Sequence, residues 1–162
     1  MLHGISLTQP WCSLMAIGAK RYETRSWQTP FRGLLAICAA KKFPEECKRL
    51  AYKNDPFSAV LHAGGFTTIQ KLIDATGHVL CVVELVACVR TEGGRVPFVT
   101  DDPSYFVEPG EHEQSFGDYG TGRFAWITRH LIRLATPVPV KGALGVFRLP
   151  EDVEAEVRKQ LP

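Results

Sequence analysis

The sequence predicts an α+β fold, and three observations carry that expectation. Leu34 to Ala40 is a run of seven residues with no polar side chain, which reads as a central strand buried on both faces. Val79 to Val89 is apolar throughout except for Glu84, the mark of a second and longer strand. Between them, from Pro44 to Gly77, the pattern changes to short helices punctuated by proline and glycine. With 162 residues, 45% of them apolar, the chain is long enough for one sizeable core, so residues 1–162 are expected to form a single domain.

Gly4 to Thr8 is expected as a first strand. Gln9 to Ile17 follows as a short helix, with Pro10 in its first turn, where a missing N–H costs nothing, and Trp11, Leu14 and Met15 on one face. Gly18 stops it, because glycine readily takes positive φ. From Lys20 to Trp27 the chain reads as a strand. Glu23, Arg25 and Trp27 share one face and Tyr22, Thr24 and Ser26 the other. Lys20 lies in the preceding turn, where it can lean over the site beside Glu23. A turn through Pro30 and Gly33 leads into the apolar strand.

In the helical block, about 44–77, Pro44, Glu45 and Glu46 suit a helix start, and Lys48, Arg49 and Lys53 suit its end. Phe57 to His62 is a second short helix. Thr67 is expected to cap a third at Ile69 to Asp74, with Ile69, Leu72 and Ile73 on one face. His78 to Arg90 is the long strand. Its lone Glu84 needs a cation if buried, and Lys20, Arg25, Arg32 and Arg123 are the candidates. Residues 92–122 form a long polar loop broken by Gly and Pro, which Tyr105, Phe106 and Val107 could anchor. Phe124 to Leu134 resumes as a strand from which Arg129 and Arg133 project, and Thr136 to Gly142 is a stiff connection. Leu144 to Leu149 is the last strand, and Glu151 to Leu161 an amphipathic helix with Val153, Val157 and Leu161 on one face.

Composition narrows the function classes. No run approaches the 18 apolar residues of a membrane helix, and MLHGISLTQP lacks the basic start and long apolar run of a signal peptide, so a cytoplasmic location is expected. The five cysteines form no CxxC and sit mostly in apolar surroundings, as reduced buried thiols do. Glu111, His112 and Glu113 are consecutive in a loop with no second ligand cluster, so neither a metal nor another cofactor is expected. Gly18 to Lys53 carries nine Lys or Arg against three Glu, and Arg123 to Arg148 five basic residues and no acid. If those segments meet, they offer a surface to a polyanion.

The segments Ser6-Leu7-Thr8-Gln9-Pro10-Trp11, Gly18-x-Lys20-x-x-Glu23-x-Arg25-x-Trp27 and Arg32-Gly33-x-Leu35-Ala36-Ile37 resemble the core of the ASCH domain family. The similarity resumes at Val82 to Leu85, Phe116 to Asp118, Gly122 to Trp126 and Pro137 to Gly142. The resemblance implies a small, mixed, mainly antiparallel β-barrel related to the PUA RNA-binding domain, flanked by short helices. It points first to RNA, single-stranded or structured, or a nucleotide-like ligand. The expected binding residues are Lys20, Tyr22, Glu23, Arg25, Trp27, Arg32 and Arg123: cations would hold phosphates, Trp27 or Tyr22 would stack on a base, and Glu23 would accept from a base amino group. Trp27 could equally be a core residue.

The alternative is a small hydrolase. Similar family members include amidohydrolases that remove the acetyl group of N4-acetylcytidine, with a lysine matching Lys20, a nucleophilic threonine three residues on, and a glutamate matching Glu84. Glu23 occupies the threonine position here, and Thr24 is a nucleophile candidate only if a bulge reverses its direction. Ribonuclease activity is also attributed to members of the family, and for it Glu23 and Glu84 would activate water while Lys20 and Arg25 stabilise charge on phosphate.

Overall fold

The computed structural model describes residues 1–97 and 109–162. Among the described residues six strands make one curled half-barrel sheet: β1 (His3–Leu7), β2 (Tyr22–Arg25), β3 (Gly33–Ala39), β4 (His78–Arg90), β5 (Phe124–Pro139) and β6 (Val146–Arg148). Their order across the sheet is β2-β5-β4-β3-β1-β6. Only β1 and β3 run parallel; the other four pairings are antiparallel. The sheet therefore has the mixed, mainly antiparallel character expected. Its edge strand β2 approaches β1, the strand next to the opposite edge, at one mouth, where Arg25 Nη2 on β2 donates to Ser6 O on β1 at 2.9 Å.

β3 lies between β1 and β4, and residues 35–39 are buried; Leu34, the first residue of the run expected to be buried, is instead exposed opposite Glu84 of β4. Alternation then sends its side chains into two cores. Leu35, Ile37 and Ala39 pack with Val83, Leu85 and Trp126 under the helices, while Ala36 and Cys38 pack with Val82, Leu134 and Val138 on the opposite face. That opposite core is closed by α6 (Glu151–Arg158) through Val153 and Val157.

The first core is roofed by α1 (Trp11–Ala16), α2 (Glu45–Lys53), α3 (Phe57–Ala63) and α4 (Ile69–Asp74). α1 is buried from Cys12 to Ala16, more completely than one apolar face would require. Gln9, also buried, ties it down: its Nε2 donates to Ser13 Oγ and to Leu72 O on α4. Gly18, at φ 77°, ends α1 and turns the chain toward β2. The cap of α4 is Thr68, whose Oγ1 accepts from Lys71 N at 3.4 Å, and not Thr67. Of the expected α4 face only Leu72 is buried; Ile73 is exposed.

Two further elements differ from expectation. β5 runs on through Pro137 and Pro139, because its β2 neighbour pairs only with residues 124–127 and leaves that side of the strand open farther on, where proline is tolerated. Leu144 is solvent-exposed and outside β6. Within the long loop, Glu113–Phe116 forms the short helix α5; the anchor expected at Tyr105 to Val107 lies outside the described residues. Cys12, Cys38, Cys47 and Cys81 are buried free thiols and Cys88 is half-buried. Among the described residues no helix is long and apolar enough to cross a membrane.

Candidate functional site

The mouth where β1 and β2 approach opens into a cleft of about 610 Å³. Lys20, Glu23, Thr24, Arg25, Trp27 and Arg123 line it, and Trp11, Phe57 and Phe116 bring aromatic walls from α1, α3 and α5. Those walls hold one another edge to face, Trp11 to Phe57 at 6.3 Å and Phe57 to Phe116 at 4.9 Å.

Lys20 is the buried hinge of the site. Its ammonium donates to Tyr22 O and, at 3.0 Å, to Phe116 O, and it lies 3.9 Å from Glu23 Oε2 and 4.0 Å from Glu113 Oε1. Burial pulls its pKa below the ordinary lysine value, while Glu23 and Glu113 pull the other way. An isolated ammonium would be expensive here, but two carbonyls and two carboxylates answer it.

Glu113 is fixed as firmly and is just as buried. Its carboxylate accepts from Arg21 N at 2.8 Å, Tyr22 N at 3.0 Å and Tyr119 Oη at 3.3 Å. It thereby holds the start of β2 and the loop end together. Gly110 lets the loop come this close, since a Cβ there would stand 2.7 Å from Ala19 O. Sequence reasoning passed over Glu113, visible only as one of three consecutive ligand-type residues in a polar loop.

Closer to the opening, Arg25 Nε stands 2.9 Å from Glu23 Oε1. Arg123 holds the loop against β2: its Nε is 3.2 Å from Asp118 Oδ2, and its Nη2 donates to Thr24 O at 3.3 Å. Thr24 Oγ1 accepts from Asp118 N at 3.1 Å. The three cations Lys20, Arg25 and Arg123 are thus matched by Glu23, Glu113 and Asp118. The cleft is polar but nearly charge-balanced. Trp27 sits at its rim, edge-on to Trp126 at 4.7 Å and 88°, with 37% of its surface exposed. Trp126 Nε1 donates to Trp27 O, which fixes the rim from below.

Three expected site residues lie elsewhere. Tyr22 is fully buried with Tyr119, Ala125 and Ile127; its hydroxyl is pushed up to about 12 by burial, and its ring is unavailable for stacking. Arg32 turns back onto its own turn, Nη1 donating to Thr29 O and Phe31 O, and does not line the cleft. Glu84 pairs with none of its four expected partners. It meets Arg129 Nε at 2.8 Å and His130 Nδ1 at 2.9 Å. Val83 and Leu85 belong to the helix-covered core, so alternation turns Glu84 to the opposite face, where Arg129 is its direct cross-strand neighbour.

The hydrogen bond from Arg129, helped by Arg129's charge and by His130, holds the Glu84 carboxyl below its ordinary 4.5. A depressed carboxylate contributes stability above its unfolded value that is lost as pH falls through the folded one. Glu84→Gln is therefore expected to cost up to about 1 kcal/mol at neutral pH, with the difference from the parent shrinking toward pH 3. Chemical denaturation at both pH values checks this.

The ASCH domain model matches residues 5–98. Activating signal cointegrator 1, from Homo sapiens and from Mus musculus, is 55% identical over 40 residues, 25% of this chain and only 7% of that protein's length. Crystal structures of two mutants of an ASCH protein from Zymomonas mobilis superpose with TM-scores of 0.51 and 0.50 at 15% and 12% identity. Each covers 98% of this chain, over 96% and 94% of the solved chains. At such identity the likeness is one of fold.

Proposed function

The chain belongs to the ASCH domain family, and from that premise we propose that residues 1–162 act as one RNA-binding domain whose cleft takes a single unstacked base of a single strand. The observation that carries this reading is Trp27, an indole held edge-on by Trp126 yet left partly exposed at the rim. A flat apolar face fixed at an opening is suited to stacking. Beneath it, Glu23 offers a carboxylate acceptor and Arg25 guanidinium donors, which can address the edge of a base. Charge balance in the cleft favours base over phosphate as its occupant, because a phosphate would face Glu23 and Asp118 as well as the cations.

Fluorescence anisotropy of a short labelled single-stranded RNA tests the reading. Saturable binding, competed by unlabelled single strand and weakened by Glu23→Gln for bases that carry an exocyclic amino group, is the expected result. Absence of binding at low salt overturns it.

Hydrolysis is the second reading, favoured by one observation: a lysine with a lowered pKa beside Glu23. Its Nζ is engaged by two backbone carbonyls, and Glu84, the other carboxylate that reading needs, faces away. Incubation with N4-acetylcytidine and with an RNA oligomer is expected to give no product; turnover abolished in a folded Glu23→Gln protein would reverse the assignment.

A further inference from the structure

Phosphates need a counter-charge that the balanced cleft does not supply, and the far side of α2 has one. A groove of about 700 Å³ runs between α2 and α4, with Arg49, Tyr52 and Lys53 on one wall and Thr67 and Ile73 on the other. Lys48 also faces it, but Glu45 lies 3.4 Å from its ammonium. Arg49 and Lys53 are exposed and have no acidic partner among the described residues. The Tyr52 ring is half-buried, and its hydroxyl donates to Phe66 O at 3.3 Å, so it forms a fixed flat wall beside the two free cations.

The groove and the cleft lie against two faces of one helix. Leu50 of α2 lines the cleft while Arg49 and Lys53 line the groove, and a helix is only about 10 Å across. We propose that the α2–α4 groove is a second nucleic-acid subsite, holding backbone phosphates of the strand whose base occupies the cleft; this rests on the RNA reading above. Two unpaired cations beside an aromatic ring suit a phosphate–base unit, and a strand leaving the cleft over α2 meets them within a few nucleotides. An acidic peptide could use the charges but has no use for a base site on the other face of the same helix.

The test compares cytidine dinucleotide with oligocytidylate of about ten nucleotides, a length within single-strand site sizes, on the parent protein, on Arg49→Gln/Lys53→Gln, and on Lys141→Gln/Lys159→Gln, which removes equal charge from exposed positions elsewhere. The groove variant is expected to bind the dinucleotide as the parent does. For the long strand it should lose about tenfold in affinity, with a salt dependence flatter by about 1.4 in logarithmic slope, since each single-strand phosphate contributes about 0.7. The control pair should behave as the parent. An unchanged length-dependent gain in the groove variant overturns the subsite while leaving the cleft intact, as does an equal loss in the control pair or a groove that binds hexaglutamate better than the strand. If the parent binds neither oligomer, the cleft reading itself fails.

Discussion

Glu113→Ala is expected to lower the unfolding free energy by about 3–5 kcal/mol, the range for removing one partner from a buried ion pair. The substitution leaves the Lys20 ammonium, in the interior, with Glu23 as its remaining carboxylate. It also removes the acceptor to which the N–H groups of Arg21 and Tyr22 and the Tyr119 hydroxyl donate. For a chain of this size each kcal/mol moves the melting temperature by roughly 2–4 °C, so thermal unfolding should shift by many degrees. Glu113→Gln keeps an acceptor oxygen but places donors against donors, and should fall between parent and Ala. A Glu113→Ala protein with unchanged melting would mean that Glu113 does not hold the loop to β2.

Trp27→Ala should cost RNA affinity with little change in stability. Base stacking is worth about 1–3 kcal/mol by alanine substitution, several-fold to more than a hundredfold in the dissociation constant. A core tryptophan would instead cost about 3–5 kcal/mol of folding free energy. The rim position separates the two: Trp27 is 37% exposed, and the bond that Trp126 Nε1 makes is to the Trp27 backbone carbonyl, which alanine retains. Anisotropy and thermal unfolding measured on one sample decide it. A strongly destabilised protein, or a stable one with undiminished affinity, would remove Trp27 from the stacking role.

Where the chemistry is local, residues alone led to the right place. The buried β3, the stop at Gly18 and the shared face of Glu23 and Arg25 follow from alternation and glycine geometry over a few residues; β2 ends at Arg25, so Trp27 reaches the rim from the bend beyond the strand expected over Lys20 to Trp27. Glu84 shows where that reasoning ends. Its isolation in an apolar strand correctly called for a cation, but the partner was set by the β4–β5 register, which shifts at three places, and no periodicity in either strand encodes those shifts. Alternation puts Tyr22 on the side opposite Glu23, where it is buried; its aromatic ring alone suggests stacking. Arg32 is held by carbonyls of its own turn. Phe57 and Glu113 come from a helical block and a polar loop whose packing against the mouth is a tertiary fact, without local signal.

The same geometry supplies the most direct test of a base in the cleft. The protein has three tryptophans: Trp27 and Trp11 line the cleft, whereas Trp126 is buried beneath the rim. Indole N–H resonances of ¹⁵N-labelled protein, followed while single-stranded RNA is titrated in, report the three positions separately. Saturable shifts of the Trp27 and Trp11 signals, larger than that of Trp126 and fitting the dissociation constant from anisotropy, are the result this account predicts. RNA binding that leaves the Trp27 and Trp11 signals where they were would contradict it.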